Sequence, residues 1–119
     1  MTRTAGSALL STLLLATTAS GAPSDDRSIK NGHDWAVIVC SACHVVARDQ
    51  DSPPKLANPG PPFQEIADNP NTTVASLRKF LSATHGSVSA TPATMPDLKL
   101  SETEISEVIA YIRSLKHKP

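Results

Sequence analysis

Apolar residues recur at spacings of three and four in several stretches of this chain, separated by segments rich in proline and small residues. The first stretch is Asp25–Cys40, where Ile29, Gly32, His33, Ala36, Val37 and Cys40 share a face and Asp25 or Asp26 stands near the start. That spacing predicts a helix. Inside it, Trp35-Ala36-Val37-Ile38-Val39 is a continuous apolar run that suits a short buried strand equally well. Arg48–Pro62 contains Pro53, Pro54, Pro59, Gly60, Pro61 and Pro62 and reads as a loop. A short helix over Pro62–Ala67 has to stop before Pro70, because the residue preceding a proline resists helical geometry.

Asn71 or Thr72 can cap a third helix bearing Val74, Leu77, Phe80 and Leu81, and Gly86 can end it. Ser87–Pro96 reads as an irregular loop of small residues. The last helix is the best marked. Ser101-Glu102-Thr103-Glu104 forms a capping box, with Leu100 and Ile105 placed as a hydrophobic staple. Ile105, Val108, Ile109, Ile112 and Leu115 then make one stripe, and Lys116, His117 and Lys118 lie at the end that favours positive charge. Three to four helices joined by proline-rich loops, without a hairpin signal, predict an all-α domain.

Composition narrows the function. A chain of 119 residues is one domain, too short for a two-domain catalytic fold or an α/β barrel. Lys and Arg total 11 against 11 Asp and Glu. This balance supplies neither a basic footprint for nucleic acid nor strong attraction to an acidic membrane surface. The aromatic count is the anomaly. Trp35, Phe63, Phe80 and Tyr111 are the whole complement, which leaves a small domain short of core volume. A non-protein group at the centre would fill the deficit.

Residues 1–21 have the order of an export signal: a charge at Arg3, an apolar run over Ala8–Ala16, then small residues through Ala22. The run is too short to span a bilayer. The expectation is a cleaved signal over 1–21 and a mature domain over 22–119, without a transmembrane segment and located in a bacterial periplasm. Removing Arg3 leaves ten basic against eleven acidic residues, a net charge of −1.

Cys40-Ser41-Ala42-Cys43-His44 is the chemical centre of the sequence. Two thiols at this spacing can add across the two vinyl groups of one haem, and the adjacent His44 then reaches the iron from one face. Three other readings compete: a thioredoxin-like redox pair, a zinc site built on Cys40, Cys43, His44 and another histidine, and a plain disulfide. The redox pair has some footing in the strand-like Trp35–Val39 run and in Met95-Pro96, but too few later strands exist to build its sheet. The zinc site lacks the usual paired-ligand spacing, and the disulfide has no need of His44.

For the opposite face of the iron, Met95 is the candidate. It becomes the only methionine once Met1 is removed, and it lies in a loop rather than on a helical stripe, where core methionines normally sit. A His/Met iron has a raised reduction potential suited to passing single electrons. His85, before Gly86, is the alternative axial ligand, although a capping role competes for it. His33 and His117 read as surface or packing residues.

With these residues in place, the chain resembles the small single-haem bacterial cytochromes c of class I, over roughly residues 29–115. In that family a glycine eight residues before the first haem cysteine lets the first helix cross closely against an aromatic residue of the last; Gly32 and Tyr111 stand in those places. A Gly-Pro pair whose proline carbonyl takes the Nδ1 hydrogen of the proximal histidine is matched by Gly60-Pro61, although Pro62 follows directly and leaves open which carbonyl faces His44. Met95-Pro96-Asp97-Leu98 and the closing helix match the distal segment, with a longer Gly86–Thr94 stretch before it.

The resemblance implies the class I fold, with the first and last helices crossing at right angles. It also implies one covalent haem c, held by Cys40 and Cys43 with His44 and Met95 on the iron. The expected function is electron transfer between redox partner proteins by a monomer, not an enzyme. The alternatives are a haem with an open sixth position, acting as a small-ligand sensor or peroxidase, and a thiol–disulfide oxidoreductase. Asp49 and Asp51 and the absence of a lysine ring give no support to docking on a strongly acidic partner.

Overall fold

A computed structural model of the protein describes Met1 and residues 22–83 and 95–117. The apolar run expected to be an export signal, His85, Gly86 and the small-residue loop as far as Thr94 lie outside the described residues. The described chain is helical: α1 over Ala22–Trp35, a π-helical turn over Ala36–Cys40, α2 over Phe63–Asp68, α3 over Val74–Ser82 and α4 over Glu102–Ser114. Among the described residues there is no strand, and no helix is long and apolar enough to cross a membrane.

The ambiguous run at Trp35–Val39 is therefore helical, but in an unexpected form. Past Trp35 the chain widens, so that the Ser41 N–H donates to the Ala36 carbonyl five residues back at 3.1 Å. Val37, Ile38 and Val39 are consecutive β-branched residues, which crowd an ordinary α turn.

The starts of α3 and α4 follow reciprocal side-chain bonding. For α3 the cap is Thr73, rather than Asn71 or Thr72. Thr73 Oγ1 accepts from the Ser76 N–H at 3.0 Å, and Ser76 Oγ accepts from the Thr73 N–H at 2.9 Å. A cap at 71 or 72 would face Val74 or Ala75 at the third position, and neither can return the bond. The helix ends at Ser82, with Ala83 already extended, before Gly86 is reached. The capping box of α4 forms as expected between Ser101 and Glu104, and the two bonds from Ser101 hold the Glu104 carboxyl below its usual range. Helix α2 starts one residue later than expected, at Phe63, and runs to Asp68 ahead of Pro70.

The core is the inner face of α4 and what packs on it. Ile105, Val108, Ile109, Tyr111 and Ile112 are buried with Ala36, Cys40, Val46, Phe63, Ala67 and Leu77, while Leu115 lies partly buried just past the helix. All three other helices contact α4, and α1 does so most extensively. Gly32 is the reason α1 can come so close. A Cβ there would overlap the Glu107 carbonyl oxygen and stand 2.9 Å from Tyr111 Cβ. Beside it, Asn31 Nδ2 donates to Glu107 Oε1 at 2.8 Å.

The chain end is tied down as well. The Gln64 amide donates to the Leu115 carbonyl at 2.7 Å and to Asp68 at 2.9 Å, using both its hydrogens. Asp68 also accepts from the His117 backbone N–H at 2.9 Å and from its Nδ1 at 2.8 Å. These donors, the His117 N–H foremost, hold the Asp68 carboxyl down at about 2. His117 is thus a clasp on α2, more than a tail residue.

Candidate functional site

The π turn and the tight turn after it carry the Cys-x-x-Cys-His motif. Cys40 is 6% exposed at the end of the π turn, and Cys43 and His44 follow partly buried. The Cys40 carbonyl accepts from both the Cys43 N–H at 3.1 Å and the His44 N–H at 2.9 Å, so one oxygen organises all three side chains. The following loop then folds back over the motif. Lys55 N–H donates to Ala42 O at 2.9 Å, Gly60 N–H to Cys43 O at 2.8 Å and Phe63 N–H to Val45 O at 2.9 Å.

The last two bonds bracket Pro61 and Pro62 and decide which carbonyl meets the histidine. His44 Nδ1 lies 2.8 Å from the Pro61 oxygen. A carbonyl can only accept, so Nδ1 carries the hydrogen, and in the neutral ring it is Nε2 that has the lone pair a metal ligand needs. Pro62 does not displace this contact. The Phe63 ring lies 5.6 Å from the His44 ring at 55° and supports it from the side.

Gly60 is as constrained as Gly32. A Cβ at Gly60 would overlap His44 Cε1 and stand 2.7 Å from Nδ1. Gly60→Ala is expected to displace the ring from Pro61 and to destabilise the protein by about 1–3 kcal/mol, the usual range for overpacking. Denaturant unfolding followed by absorbance should show the lower midpoint, and an unchanged midpoint would contradict the tight contact.

The described contacts bring Cys40, Cys43 and His44 together. Met95 enters on a separate segment, partly buried at the head of residues 95–100. Leu98 and Leu100 anchor that segment against the core. Between them Lys99 adopts a left-handed backbone, φ 55°, while Asp97 accepts from its N–H at 3.0 Å and from its Nζ at 2.6 Å. His85, the alternative ligand, lies outside the described residues.

The competing readings lose their footing here. A redox dithiol needs an accessible cysteine with a lowered pKa, but burial, with a smaller contribution from Cys43, pushes the Cys40 thiol up to about 11. Cys40 and Cys43 are not bonded to each other. Among the described residues no group of three His, Cys, Asp or Glu side chains is placed to hold a metal ion such as zinc. Two thiols followed directly by an imidazole whose Nδ1 faces a carbonyl fit the attachment of a c-type haem.

Residues 29–116 match the family model described as cytochrome c. The chain belongs to the cytochrome c family. Cytochrome c-552 of Bradyrhizobium diazoefficiens is 32% identical over 105 residues, covering 87% of this chain and 90% of that protein. No solved structure matches the chain. Family and fold together make this a small class I haem electron-transfer protein with covalently bound c-type haem, acting with redox partner proteins.

Several supporting contacts were not legible in the sequence. The Tyr111 hydroxyl donates to the Val46 carbonyl at 2.9 Å inside the core, fixing the chain just after His44. Burial, and to a lesser extent the charge of Asp49, raise the Tyr111 phenol. His33 stands edge-on to the Tyr111 ring at 5.2 Å, with Nε2 3.0 Å from Asp49 and Nδ1 3.1 Å from Asp34. Both carboxylates accept, so the contacts favour the doubly protonated ring, and the Asp49 bond is the main reason the His33 pKa is raised. His33 therefore joins α1 to the loop after the motif. The only signal in the sequence was its place on the helical face next to Gly32.

Proposed function

We propose that the mature protein, residues 22–119 after removal of a signal over 1–21, is a monomeric periplasmic carrier of single electrons between a donor and an acceptor protein. Cys40 and Cys43 hold the haem by thioethers, His44 is the proximal iron ligand and Met95 the distal one. The bound haem supplies an iron that alternates between two oxidation states. The protein's own residues orient and insulate it without making or breaking a substrate bond. His44 keeps a fixed ring plane through Pro61 and Gly60, which also raises its donor strength. Met95 completes a His/Met pair that favours the reduced state.

The observation that carries this reading is the 2.8 Å contact between His44 Nδ1 and the Pro61 oxygen, which presents Nε2 as a ready ligand in the first turn after the two thiols. The test is the protein expressed with c-type maturation machinery, in three measurements. A haem-stained denaturing gel and the intact mass should show one covalent haem. The ferric protein should show a near-infrared sulfur-to-iron band that Met95→Ala abolishes. A high-spin ferric wild type would favour the open sixth position of a sensor or peroxidase, and a colourless chain with free thiols would favour the thiol–disulfide oxidoreductase.

A further inference from the structure

We propose that Ser41 is a positioning residue for haem attachment at Cys40, acting through the π turn that it closes. This rests on Cys40 being a thioether residue, as proposed above. Ser41 occupies the first variable place of the motif. In an α-helix its N–H would bond the Val37 carbonyl, four residues back. Here the N–H takes the Ala36 carbonyl at 3.1 Å, and the Ser41 hydroxyl donates to Val37 O at 2.6 Å. One residue thus satisfies two carbonyls at once, which alanine in its place cannot do. The hydroxyl bond is partly buried, where an unmade hydrogen bond is more damaging than at the surface.

The consequence falls on Cys40, the last residue of the turn. A π turn rotates each residue by less than the roughly 100° of an α-helix. If the turn tightened to α, with the N–H of residue 41 drawn back to Val37, the Cys40 sulfur would swing about the helix axis. The Cys43 and His44 N–H groups, which hang from the Cys40 carbonyl, would be re-aimed with it. Two thiols have to meet two vinyl groups at fixed places on one rigid ring, and a swing of Cys40 takes one of them out of reach. The attachment itself adds the Cys40 S–H across a vinyl double bond. Sulfur bonds the inner carbon, hydrogen goes to the outer carbon, and no oxidant or reductant is consumed.

The test compares the full-length protein with Ser41→Ala and Ser41→Thr, each expressed with the c-type maturation machinery. Alanine is the better helix former, so the helical circular dichroism should persist. In Ser41→Ala the ratio of doubly to singly attached chains should fall about fivefold, the population change expected for losing one ordinary hydrogen bond. The remaining haem should be attached through Cys43, as peptide mass mapping would show. An unreacted vinyl stays conjugated with the ring, so the α band of the reduced protein should move to longer wavelength. Ser41→Thr, which keeps the hydroxyl, should restore both readouts. Wild-type attachment and spectrum in Ser41→Ala would overturn the proposal, as would a defect that Ser41→Thr fails to rescue. A wild-type protein without covalent haem would instead overturn the proposed function on which this inference rests.

Discussion

Gly32→Val is expected to leave no folded, haem-loaded protein, and Gly32→Ala to lower stability by about 3 kcal/mol or more, the upper end of overpacking effects. The sign is informative. Gly32 lies inside α1, where alanine is intrinsically favoured over glycine by about 1 kcal/mol. Propensity alone therefore predicts stabilisation. The contact predicts the reverse, because the added Cβ would meet the backbone of Glu107 rather than the yielding end of a side chain. Relief requires α1 and α4 to separate, and that separation would also strain the Asn31–Glu107 bond and the bond from Tyr111 to Val46. With total stabilities of about 5–15 kcal/mol for ordinary domains, such a loss is a large share of the whole. Thermal unfolding of the haem-loaded Gly32→Ala protein checks it. A melting temperature at or above wild type would mean that the two helices do not approach this closely.

The second large effect is expected in Cys40→Ala/Cys43→Ala, made so that haem cannot be attached. This variant should show weak helical circular dichroism at 25 °C and no cooperative melt. The protein's own core is small. Phe63 and Tyr111 are its only buried aromatic side chains, while Ile38 is 75% exposed and Leu56 47%. In a small domain, a core with so few large side chains offsets chain entropy only narrowly. The two alanines themselves remove little apolar volume, so a collapse of helix content would be traceable to the missing prosthetic group. Native-like helix and a sharp transition in this variant would show that the polypeptide folds without it.

How much of this was legible in the sequence differs from element to element. Helix α4 was readable because everything that defines it is local: Ser101 and Glu104 three residues apart, and a stripe at helical spacing. The Cys40–His44 motif was readable for the same reason. The start of α3 was misplaced because three candidate caps stand in a row, and only Thr73 has a serine positioned to return its bond. The π turn was hidden more deeply. Trp35–Val39 has no periodicity to choose between helix and strand, and the wide hydrogen-bond register comes with a side-chain bond, Ser41 to the Val37 carbonyl, that apolar spacing does not report. The partner of His44 lies 17 residues away, and no pattern of apolar spacing reaches that far. Family resemblance pointed to Pro61, but the two backbone bonds at Gly60 and Phe63 are what exclude Pro62.

The crossing of α1 on α4 also has a consequence in time. Asn31 and Glu107 are 76 positions apart, so the first helix has no proper seat until nearly the whole chain exists. Contacts of such long range form late, because the loop between them has to be closed first. The two cysteines come directly after α1 and cannot be immobilised before it. A chain whose final helix is not yet seated therefore offers its thiols on an open segment. The length of the loop to be closed itself provides an interval in which the prosthetic group can be fastened before the fold shuts around it.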